Sequence, residues 1–94
     1  MIFALVCIDK PNQADVRKEH REAHMAYLRS FNENIVTAGP LLAEDESHSV
    51  GSLLVMDFPD RAQAEAFAGG DPFNKAAIFE SVVIRPYKQI FPLA

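Results

Sequence analysis

"IFALVCI", residues 2–8, consists of β-branched, aromatic and small apolar residues and runs into Asp9-Lys10-Pro11-Asn12, a turn-forming set. It reads as a β-strand. In an extended chain successive side chains face opposite ways. Ile2, Ala4, Val6 and Ile8 therefore share one face, and Phe3, Leu5 and Cys7 the other. Both faces are apolar. Residues 51–58, "GSLLVMDF", repeat the property, with Leu53 and Val55 opposing Leu54, Met56 and Phe58. A sheet built from such strands must be covered on both sides.

The rest of the chain supplies cover for one side only. A helix is expected from about Gln13 to Phe31, from the spacing of Val16, His20, Ala23, Tyr27 and Phe31, with Asn12 and Asp15 forming its N-terminal cap. "IVTAGPLL" (35–42) is extended, and Pro40 within it indicates an edge strand or a bulge. "AEDESHS" (43–49) is a polar loop, and a strand from Val50 to Phe58 follows. Pro59-Asp60 opens a second helix through "RAQAEAF", which Gly69-Gly70 stops. "DPFNKAAIF" (71–79) holds a turn or two of helix, with Asp71 as cap and Pro72 in the first helical position. "ESVVIRPY" (80–87) is the last strand, before a tail, "KQIFPLA".

The order β-α-β-β-α-β predicts a ferredoxin-like α+β sandwich with an antiparallel sheet, one domain over residues 1–94. In that topology both helices cover the same sheet face. Pairing of the other face with an identical subunit, giving a homodimer, is the economical cover. The alternative is the tail folding back.

A chain of 94 residues buries only about 60–65% of its unfolded surface, so a partner's contribution to the core would matter. A net charge of −4 argues against nucleic acid, whose neutralisation needs a basic face. Yet five of the nine basic residues, Lys10, Arg17, Lys18, Arg21 and Arg29, fall within one twenty-residue span. That local positive field suits a small anion. Cys7 is the only cysteine, so no disulfide forms within the chain. The opening apolar run is too short to span a membrane and has no basic residues before it, so the expected location is the cytoplasm, with no membrane partner.

"KEHREAHMAYL" (18–28) places two histidines four apart, as in the H-E-x-x-H zinc-protease helix, but its glutamate stands one position late. At about 100° per residue His20 and His24 lie about 40° apart, whereas Glu22 is about 160° from His24 on the solvent side. A glutamate there cannot reach a metal-bound water, and His48 sits in a polar loop without ligand spacing. Neither a metal nor another cofactor is expected.

His20 falls in the middle of the apolar arc and reads as a half-buried histidine with a local hydrogen bond. His24 falls at the margin, on a stripe with Arg17, Arg21 and Leu28. An imidazole there, partly desolvated and facing guanidinium groups, is disposed to accept a proton, and the arginines to stabilise the resulting anion. A surface histidine beside surface arginines fits those residues equally well. Asp71 is the candidate to orient His24, although "GGDPF" also reads as a plain helix cap. Ser52, polar in an apolar strand, would hydrogen-bond a ligand or its own backbone. Tyr27 and the phenylalanines read as core, and Cys7 as a buried thiol without an activating base.

Taken in order, these residues resemble the YciI-like proteins, within the larger group of dimeric α+β barrels. "REAHMAYL" matches the R-x-x-H helix, "TAGPLL" the second strand, "GSLLVMDF" the third, and "DPFNKAAIFESVVIRPY" the D-P-[FY] segment with the last strand. The resemblance covers almost the whole chain. It implies a ferredoxin-like fold pairing its sheets across a dimer, and a His–Asp active site carried by His24 and Asp71, with Arg21 as motif arginine and Ser52 as strand serine. Arg17 joins them from the helix stripe. One departure is Ala77, where relatives often carry glycine. A clear enzymatic relative in that family is a dehydrochlorinase of a chlorinated hydroxyhydroquinone in aromatic degradation, and fold relatives include muconolactone isomerases and cofactor-independent monooxygenases.

The expectation is therefore a cofactor-free lyase or isomerase acting on a small anionic or phenolic, ring-derived substrate, most concretely as such a dehydrochlorinase. His24 would exchange a proton, Asp71 fix its tautomer, and Arg17 and Arg21 hold the enolate or phenolate, with Ser52 binding substrate. The alternatives are a non-catalytic anion-binding or accessory module and a cofactor-independent monooxygenase.

Overall fold

Strand β1 (Ile2–Asp9) lies inside a four-stranded antiparallel sheet whose order is β2-β3-β1-β4. The computed structural model describes residues 1–93. After β1 come α1 (Ala14–Ser30), a short 3-10 turn at Asn32–Asn34, β2 (Ile35–Leu42) and β3 (Ser49–Asp57), then α2 (Arg61–Gly70), α3 (Pro72–Lys75) and β4 (Phe79–Tyr87). This is the ferredoxin-like α+β arrangement, with β3 inserted between β1 and β2. Pro40 lies on β2, an edge strand with register shifts near both ends, where a missing N–H is tolerated.

The alternation in β1 divides the molecule. Phe3, Leu5 and Cys7 are buried with Leu54, Met56 and Phe58 of β3 against the helices. Tyr27, Phe31, Phe58 and Phe67 pack ring to ring there, with centroids 4.9–6.0 Å apart. Burying each phenylalanine contributes on the order of 1.5–3 kcal/mol. On the opposite face Ala4, Val6 and Leu53 are only half-buried, Ile8 is 40% exposed and Val83 43%. The tail does not cover them: Ile90, Phe91 and Leu93 are themselves exposed.

Three local expectations are corrected. Asn12 does not cap α1. Gln13 precedes the helix, its side chain donating back to the Pro11 carbonyl rather than capping, and Asn12 takes φ 61°, turning the chain out of β1 in a conformation asparagine tolerates. Gly69 and Gly70 do not stop α2 but form its last turn, and neither has positive φ. The stop comes at Asp71 (φ −61°, ψ 124°), which the following proline holds out of the helical region. Gly70 is small for another reason: a Cβ there would lie 2.5 Å from the Tyr27 hydroxyl, which donates to the Phe67 carbonyl at 2.8 Å. Third, the buried arc of α1 is rotated from the one expected. His24, expected at its margin, is its buried residue and Ala23 faces solvent, while His20 is half-buried as expected. Among the described residues no helix is long and apolar enough to cross a membrane.

Candidate functional site

Two turns of α1 and the α2–α3 junction meet over the first part of the sheet. His24 projects from α1 with 8% exposure, and Asp71, at the junction, has 2%. Their Nδ1 and Oδ1 atoms are 2.7 Å apart. With Asp71 as a carboxylate, Nδ1–H donates and Nε2 keeps its lone pair. Among the described residues no buried side-chain nitrogen or oxygen lacks a partner, and no bond to Nε2 is formed, so this atom is reached from outside. The Phe73 ring lies flat on the imidazole, with centroids 3.9 Å apart and planes within 6°, fixing its plane as Asp71 fixes its edge.

Asp71 is held in turn. The same Oδ1 accepts the backbone N–H of Phe73 at 3.0 Å, capping α3. The cap and the histidine contact are thus one arrangement.

Arg17 has a partner that the sequence did not indicate. Its Nε and Nη2 donate to both Asp9 oxygens at 2.7 and 2.9 Å, and Nη2 also reaches the Ser52 hydroxyl oxygen at 3.1 Å. A fork-to-fork pair of this kind largely neutralises the guanidinium. Its Nη1 has no partner among the described residues, and the guanidinium carbon stands 4.8 Å from the Phe73 ring centre. Ser52, 3% exposed, spends its hydroxyl on Arg17, so its expected hydrogen bond is to a side chain. Arg21 is exposed, with no ion pair among the described residues.

These side chains border a cavity of about 230 Å³ between α1, the Ala38–Pro40 segment of β2 and Phe73. Arg17, Arg21, His24 and Ser52 all line it, with Leu28 and Leu54 as apolar wall. A cavity of about 150 Å³ suffices for benzene, so one substituted ring fits. Asp71 stands behind His24 and is absent from the lining. Cys7 is also behind the wall. Burial first, and the Asp71 carboxylate second, push its thiol up to about 12, so it stays protonated and unreactive. Burial and Asp71 raise the Tyr27 hydroxyl likewise. Among the described residues no group of three His, Cys, Asp or Glu side chains stands close enough to hold a metal ion.

The five residues named from sequence therefore fall at one place, four lining the cavity and Asp71 supporting from behind. Asp9 and Phe73 were missed as parts of it. Asp9 closes a strand eight residues before Arg17, and only the Pro11-Asn12 turn brings the two together. Phe73 was read as part of a motif, but a four-residue helix has no periodicity from which to assign its face.

Residues 1–88 match the family model of the YCII-related domain. The chain is 30% identical to Protein YciI of Escherichia coli O6:H1, over 97% of this chain and 100% of that one. Among solved structures it is similar to 5-chloro-2-hydroxyhydroquinone dehydrochlorinase (TftG) of Burkholderia phenoliruptrix AC1100, in complex with 2,5-dihydroxybenzoquinone. That likeness has a TM-score of 0.87 and 30% identity over 94% of each chain. A structure described as an antibiotic biosynthesis monooxygenase matches with a TM-score of 0.55 at 13% identity, over 95% of this chain and all of that one, a likeness of fold alone. A buried His–Asp contact at a ring-sized cavity, on this fold and with these relatives, places the protein: the chain belongs to the YCII-related family.

Proposed function

We propose that the protein is a cofactor-free lyase or isomerase that moves protons on a small, acidic, ring-derived molecule, with His24 as general acid and base. The observation carrying this reading is the 2.7 Å contact of His24 Nδ1 with Asp71 Oδ1, which leaves Nε2 as the free nitrogen at a cavity the size of one ring. Asp71 fixes the tautomer and stabilises the imidazolium formed when Nε2 takes a proton. Arg21 and the free Nη1 of Arg17 stabilise the enolate or phenolate, and Ser52 with Asp9 holds Arg17 in place. The most concrete form is loss of HCl from a chlorinated hydroxyhydroquinone, supported by the likeness to TftG. His24 takes a proton from a ring hydroxyl, and the electron pair shifts through the ring to the chlorinated carbon. That carbon is protonated, a second hydroxyl proton leaves, and chloride departs with the C–Cl electrons. The product is a hydroxybenzoquinone, and no oxidant is consumed.

The open sheet face belongs to the same proposal: a second copy pairs with it, giving a homodimer. Among the described residues no unused helix or strand is left to cover that face, and Ile90, Phe91 and Leu93 of the tail are exposed.

Chloride release from 5-chloro-2-hydroxyhydroquinone under anaerobic conditions tests the reaction. The wild-type chain is expected to release chloride, and His24→Ala to lower kcat by about 10²–10⁴-fold with its fold intact. An unchanged rate in the variant removes the mechanism. Binding without product would make the chain an anion-binding module, and turnover only with oxygen would make it a monooxygenase.

A further inference from the structure

We infer that a second subsite, for an anionic group, adjoins the cavity, and that it favours a ring bearing a carboxylate, directly or on a short arm, over one without. This rests on the reading that the cavity binds a ring-derived molecule. A recess of about 270 Å³ opens beside the cavity and shares Arg17, Arg21, Ser49 and Phe73 with it, so one ligand can occupy both. The recess adds Lys18, from the outer flank of α1, and His48, from the β2–β3 loop. No acidic side chain lines it.

The basic groups there are not equivalent. Arg17 is already neutralised by Asp9. Lys18 and Arg21 have no ion pair among the described residues. His48 is held by its neighbours: its Nδ1 is 2.8 Å from the Ser47 hydroxyl, and its carbonyl accepts the Ala43 N–H at 3.0 Å. That leaves Nε2 as its free ring nitrogen. An adjoining groove shares Ala14, His48 and Ser49 with the recess and is lined further by Asp9, Lys10 and Glu80.

Two unpaired cations at a concavity, Lys18 and Arg21, in a chain of net charge −4, are an arrangement that draws in and holds an anion. Lys18 lines the recess and not the cavity, so its charge calls for a group projecting beyond the ring. A carboxylate matches in charge and in having two acceptor oxygens to share between Lys18 and Arg21.

Calorimetric titration of the full chain with 2,5-dihydroxybenzoate and with hydroquinone tests this, since the two share the dihydroxy ring and differ by the carboxylate. The acid is expected to bind at least about tenfold more tightly, and added salt to narrow the ratio. Lys18→Gln and Arg21→Gln, both changes outside the core, are each expected to reduce the ratio. Equal affinities, or a ratio that survives both substitutions, would overturn the subsite and leave the ring-binding cavity standing. Binding of neither compound would overturn both.

Discussion

One oxygen of Asp71 faces two donors, the Nδ1–H of His24 and the backbone N–H of Phe73. An amide oxygen can accept both, but it brings no negative charge to the imidazolium. Asp71→Asn is therefore expected to keep the cap and shift the thermal midpoint by no more than a few degrees, while kcat falls about 10²–10⁴-fold. Thermal unfolding and steady-state rates measured on one preparation separate the effects, and a variant with normal turnover would leave Asp71 a structural residue only. The residue types of this pair were legible in the sequence, and their distance was not. Helical spacing put both histidines on one side of α1 but centred the arc on His20, because Ala23 counted as apolar although it faces water. The pairing of Arg17 with Asp9 was hidden more deeply. It depends on the left-handed turn at Asn12, which no periodicity reveals.

At the scale of elements, the exit from α3 is strained at one residue. Ala77 has φ 58°, and around it the N–H of Ala77 bonds to the Asn74 carbonyl and that of Ile78 to the Phe73 carbonyl, the double closure that glycine usually makes. An L-residue in this region is disfavoured by about 1–2 kcal/mol, partly offset because glycine loses more freedom on folding. Ala77→Gly is expected to raise the free energy of unfolding by about 0.5–1 kcal/mol, measured by urea titration. A loss of stability would mean that the methyl group contributes packing that outweighs the strain. The departure from glycine was visible in the sequence, and the left-handed turn behind it was not. Strand and loop bounds were read within a residue or two because β-branched runs and polar turns mark them directly. The end of α2 was misplaced because Gly70 answers to the Tyr27 ring rather than to the backbone.

For the whole molecule the two-faced strands make the strongest statement, and they were legible from residues 2–8 onward. If the open face pairs with a second copy, equilibrium sedimentation of the wild-type chain at micromolar concentration gives twice the chain mass. Leu53→Glu, which places a charge on that face, is expected to give monomers of lower stability. A wild-type monomer would overturn the pairing. The cavity, by contrast, has walls of unequal rigidity. His24, Asp71 and Phe73 are anchored in the packed interior, whereas the facing wall is an irregular border strand, and the loop after it carries His48. Insertions or exchanges along that border can remodel what enters while His24 and Asp71 stay undisturbed. Chains of this architecture can therefore diverge in the molecules they accept without reinventing their chemistry.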